Sequence, residues 1–110
     1  GAVVMKNPIL VLPILIASMS AIAAQPATPG ADTKEGCVFW SEVAYDIVAQ
    51  RINGVSMAEI DEKTISLYDK KVLSKAQLVF ALGMVETYFK SPLSPKQNQT
   101  SFLASCLKRI

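Results

Sequence analysis

The 110-residue chain contains no histidine, so the side chain that most often serves as general base or metal ligand near neutral pH is missing. Its two cysteines, Cys37 and Cys106, are too few for a cysteine-built zinc site and too far apart for a redox CxxC pair. Charge is sparse: 11 Lys and Arg against 9 Asp and Glu give a formal +2, without the clustered basic excess of a nucleic-acid binder. No Gly-rich phosphate loop, nucleophile elbow or metal-ligand spacing occurs. Alternating β-branched runs flanked by hairpin turn residues are missing too, which argues against a sheet. A chain of this length holds one domain at most.

What is present begins at the N-terminus. Gly1–Val4 reads as an appended or upstream extension, followed by Met5-Lys6-Asn7, the apolar run Ile9–Ile16 and small residues to Ala23-Ala24. A positive start, a short apolar middle and an A-x-A-like end make up a secretory signal peptide. The rival is a retained membrane anchor. Pro8–Ala24 is only 17 residues long and is interrupted by Pro13, whereas a span needs about 20 apolar residues. Residues 1–24 are therefore expected to be removed, leaving 86 residues of nearly balanced charge. Residues 25–35, rich in Pro, Gly, Ala and polar side chains, read as a flexible leader, and residues 36–110 as the domain.

The domain reads as all-α. Helix one is expected from about Gly36 to Ile52, with Cys37, Trp40, Val43, Ala44, Ile47, Val48 and Arg51 on one stripe and Glu42, Asp46 and Gln50 facing away. Asn53-Gly54 supplies a left-handed stop. Ser56 and Glu59 form a capping box, with Val55 and Ile60 placed as a hydrophobic staple, so a second helix runs to about Lys71 and buries Met57, Ile60, Thr64, Leu67 and Tyr68. Ser74 and Gln77 repeat the box within a Leu73/Leu78 staple, and helix three runs to about Lys90, before Ser91-Pro92. Helix four starts after Ser94 with Pro95 at its first position and carries Phe102, Leu103, Cys106, Leu107 and Ile110 on one face.

Four helices with short connections predict a small up-down-up-down bundle, in which the start of helix one lies beside the end of helix four. Those ends hold Cys37 and Cys106, 69 residues apart. In an exported domain with a modest core the pair is expected to form a disulfide.

Few residues suggest chemistry. Glu59, Asp61 and Glu62 crowd the positive end of helix two, where the helix dipole accounts for them without a metal or an acid–base role. Arg51 on the apolar stripe is a candidate anion anchor; its structural alternative is to pack its stem on the core while its head meets the last carbonyls of its own helix or a nearby acid. Leu78–Val85 has no charge and is apolar all round, so one side of helix three is either deeply buried or a partner surface, with Gly83 allowing a close crossing. Phe39, Tyr45, Arg51, Phe80 and Met84 are the candidate binding residues. Asn98-Gln99-Thr100 matches a glycosylation acceptor, placed on a helix where its use is not expected.

The order of Cys37, Arg51-Ile52-Asn53-Gly54-Val55-Ser56-Met57, Tyr88-Phe89-Lys90-Ser91-Pro92 and Cys106 resembles a loose group of small exported helical proteins of Gram-negative bacteria. That resemblance implies export, an all-α fold and a bridge, and brings no activity with it. The expectation is a periplasmic or secreted, non-enzymatic protein that binds another protein or itself. No cofactor, catalytic residue, metal or nucleic acid is expected, and membrane contact only if the signal segment is retained. The alternatives are an envelope protein tethered by that segment and a carrier of small apolar ligands in the bundle core.

Overall fold

The computed structural model describes residues 28–110, and the expected signal segment at 1–24 lies outside them. Four helices follow one another: α1 Lys34–Ile52, α2 Met57–Asp69, α3 Lys75–Phe89 and α4 Pro95–Lys108. Among the described residues there is no strand, and no helix is long and apolar enough to cross a membrane.

The helix ends follow from local chemistry. Ser56, Ser74 and Ser94 each accept from the backbone N–H three residues on, and Glu59, Gln77 and Gln97 each reach back to the cap N–H, closing three capping boxes. α1 ends in a Schellman motif, with Gly54 N–H donating to Arg51 O and Val55 N–H to Gln50 O, both at 2.9 Å. This motif needs a left-handed residue, and Gly54 provides it at φ 88°. α2 ends the same way at Lys71, where φ is 64°. A lysine there carries roughly 1 kcal/mol of strain that glycine would avoid.

α1 is the central helix. It packs closely on α4 and also on α3, while α2 packs on α3. Cys37 and Cys106 are bonded, with their Cα atoms 5.6 Å apart, so the start of α1 is tied to the last turns of α4. The core collects Trp40, Val43, Ala44 and Ile47 of α1, Ile60 of α2, Leu73 before α3, Ala81, Met84 and Val85 of α3, and Phe102 of α4.

Several expectations change. Asp46 and Gln50, expected to face away, are fully buried, because α1 is covered on nearly every side and has no polar face left. Tyr68, expected to be buried, and Leu107 and Ile110, expected on the apolar face of helix four, are exposed, because α2 and α4 are outer helices that bury only a narrow strip. Asn98 takes an inward place instead, accepting from Ser91 Oγ at 2.9 Å and donating to Leu93 O at 3.1 Å and Ser94 O at 2.9 Å. With its amide so engaged and 3% exposed, it is a poor glycan acceptor.

The leader is a further correction. Residues 28–33 are anchored, and α1 begins at Lys34, two residues before the expected start. Thr28 is buried; its Oγ1 donates to Val72 O at 2.8 Å, and Gln77 Nε2 donates to Thr28 O at 2.7 Å. Trp40 Nε1 donates to Pro29 O at 2.9 Å, and Thr33 caps α1 by accepting from Gly36 N–H. This strap crosses so close to α1 that a Cβ at Gly36 would run into the Gly30 carbonyl. Gly83, by contrast, faces open space and makes no close helix crossing, contrary to expectation.

Glycine to alanine should therefore have opposite signs at two helical positions. Gly83→Ala is expected to raise stability by about 0.5–1 kcal/mol through helix propensity. Gly36→Ala is expected to lower it by about 1–3 kcal/mol, because the backbone strap has to move. Urea unfolding of both variants checks this; equal effects would refute the strap's close approach.

Candidate functional site

Trp40 organises one end of the domain. Its side chain is 2% exposed, and its ring meets Phe39 and Phe80 edge-on, with centroids 5.2 and 5.0 Å apart. The indole N–H is held by the strap through Pro29 O. Both aromatic neighbours are thus positioned by a buried, hydrogen-bonded ring of a rigid helix. Phe39 is half-buried, and Phe80 remains 38% exposed.

Phe80 belongs to a continuous outer stripe on α3. Ala76, Val79, Phe80, Gly83 and Thr87 are all exposed and recur at steps of three and four residues, which places them on one face of the helix. Val79 is the most open at 63%. No charge interrupts the α3 stripe between Lys75 and Glu86, which pairs with Lys90. Apolar all round in sequence, α3 buries only Ala81, Met84 and Val85 and leaves this side uncovered. An uncharged helix face with one aromatic residue, one branched residue and a bare glycine is chemically suited to receiving another apolar surface.

Of the five candidate binding residues, the structure gathers Phe39 and Phe80 around Trp40 and separates the rest. Met84 is 5% exposed and belongs to the core, so it cannot contribute to a surface; its inward turn is fixed by α3 packing on α1 and α2. Tyr45 is half-buried further along α1. Arg51 donates from one guanidinium nitrogen to Phe89 O at 3.3 Å and Ser91 O at 2.6 Å, satisfying carbonyls at the end of α3. It is a strut between helices, with that nitrogen committed to backbone carbonyls.

The acids of α2 do not converge into a site. Glu59 closes the capping box, while the Asp61 carboxyl is pushed up by partial burial and by the charge of Glu86. Among the described residues, no three His, Cys, Asp or Glu gather in a way that could hold a metal. A shallow cleft of ≈ 480 Å³ opens at the α2–α3 turn between Tyr68, Lys71, Val72 and Gln77, beside the point where Thr28 is anchored. Comparison with protein-family models, curated proteins and solved structures finds no match for this chain.

Sequence reasoning missed the strap, the Trp40 hub and the buried polar pair on α1. One signal for the last was visible: α1 carries apolar residues at successive positions from Cys37 to Trp40 and again from Ile47 to Ala49, which no single stripe accommodates.

Proposed function

We propose that this chain is an exported, non-enzymatic helical domain that works by binding another protein through the outer face of α3. Its helices alternate in direction around the bridge. That course is supported by the tie between Cys37 and Cys106, by the contact of Trp40 with Phe80 and by the reach of Arg51 to the end of α3. A disulfide joining the two ends of a small domain fits an oxidising compartment, and the N-terminal sequence fits export. The observation that carries the binding role is the exposed stripe of Ala76, Val79, Phe80 and Gly83, uncharged until Glu86 closes it, set on a helix whose other side is locked into the core.

Gly83 allows a clean test, because a side chain added there meets nothing within 4 Å. Gly83→Lys puts a charge in the middle of the stripe without touching a core residue. It is expected to reduce capture of the partner by the bridged domain at least tenfold while leaving the melting temperature unchanged or slightly raised. Undiminished capture by this variant would show that the α3 face is not the contact surface.

A further inference from the structure

Asp46 and Gln50 lie one turn apart on α1, and both are 0% exposed. They meet through one hydrogen bond, Gln50 Nε2 donating to Asp46 Oδ2 at 3.2 Å. Two oxygens are left without a partner: Asp46 Oδ1 and Gln50 Oε1. An ionised carboxylate cannot repair this, because it has no hydrogen to give and the Gln50 amide oxygen can only accept.

We propose that Asp46 is held as the neutral acid, its Oδ1–H donating to Gln50 Oε1 while Gln50 Nε2–H donates to Asp46 Oδ2, so that α1 carries a buried proton-binding ring that makes the domain firmest in acid and weaker in alkali. A single proton satisfies both orphan oxygens. Its loss to hydroxide or buffer leaves a buried negative charge and the Gln50 carbonyl unpartnered.

The surroundings favour the neutral form. From α2 the charge that reaches Asp46 is that of Lys63, and on α1 itself Glu42 precedes it by one turn. Neither α3 nor α4 fully buries an ionisable side chain: Tyr88 of α3 is half-buried against Phe102, with its hydroxyl pushed up by desolvation. The buried residues are Ala81, Met84 and Val85, and Asn98, Phe102 and the bridged Cys106. Burial pushes the Asp46 carboxyl up from 3.8 to about 8, against smaller opposing pulls from the Gln50 hydrogen bond and Lys63. A folded value above the unfolded one means the group stabilises fully below about 3.8, and that this contribution is lost as the pH rises toward about 8.

Asp46→Asn reproduces the ring with an amide N–H in place of the acid proton and cannot titrate. Relative to this variant, the unfolding equilibrium constant of the parent is expected to rise roughly tenfold per pH unit between about pH 4 and pH 8, and then to level off. Carbon-13 NMR of the Asp46 carboxyl in the parent reads the same proton directly, whether or not the variant folds. The resonance is expected to stay in its protonated position at about pH 6 and to move only near pH 8. A carboxyl that titrates near its ordinary value, or a parent-to-variant ratio flat with pH, overturns the proposal.

Discussion

Replacing Cys37 and Cys106 together by alanine is expected to lower the unfolding free energy by about 4 kcal/mol, because the bridge closes a loop across 69 residues of sequence. A loop of that length restricts the unfolded chain strongly. In the folded state the bond ties α1 to α4, the most extensively packed pair of helices. It also lies beneath the strap, with Cys106 Sγ 3.3 Å from Ala31 O. A domain of about 80 residues has roughly 4–12 kcal/mol of stability in all, so the unbridged protein should sit close to its unfolding threshold at 37 °C. Urea unfolding of the oxidised parent and the double variant measures the difference. A loss below about 1 kcal/mol would mean that helix packing alone holds the ends together.

Trp40→Ala should cost a comparable amount, about 3–5 kcal/mol. Three kinds of interaction vanish together: the burial of a 2%-exposed indole, two edge-on aromatic contacts, and the hydrogen bond that holds Pro29 O. Trp40→Phe separates them. It keeps most of the apolar volume and leaves the Pro29 carbonyl without its donor, for a loss of about 1–3 kcal/mol. Hydrogen exchange around Thr28 and Val72 should quicken in both variants, since the strap depends on that indole. If the exchange there does not change while global stability falls, Trp40 acts as core filler and not as the anchor of residues 28–33.

The contrast between these regions shows what sequence discloses. All four helices and the capping boxes at Ser56 and Ser74 were legible, because a serine followed three positions later by Glu or Gln is a contact within one turn; the box at Ser94, read only as a helix start, obeys the same rule. The bridge was legible from compartment and from the position of each cysteine near a helix end. What could not be read locally was the burial of each helix face, since amphipathic stripes record only a typical one-sided burial. α1 is enclosed by its neighbours, so Asp46 and Gln50 go inside although they fall off its apolar stripe. α2 and α4 touch the rest on one side, so Tyr68 and Leu107 stay out although they fall on theirs.

The candidate surface was half legible for the same reason. The uncharged run on α3 announced more apolar residues than one core-facing side could use, and that excess is now placed at Val79 and Phe80. Met84, from the same run, went to the core, because helical spacing sets it with Ala81 and Val85 on the buried side. Arg51 illustrates the opposite case. Its partners, Phe89 O and Ser91 O, lie 38 and 40 residues away, beyond the reach of any local pattern.

Site-specific photocrosslinking of the bridged domain in a native envelope extract, from a photoreactive residue at position 79 and a control at exposed Lys96 on α4, tests the contact surface most directly. The expected result is one dominant adduct from position 79 that is missing from position 96 and lost when Gly83→Lys is added. The same adducts from both positions, or none from position 79, would contradict the assignment of the α3 face.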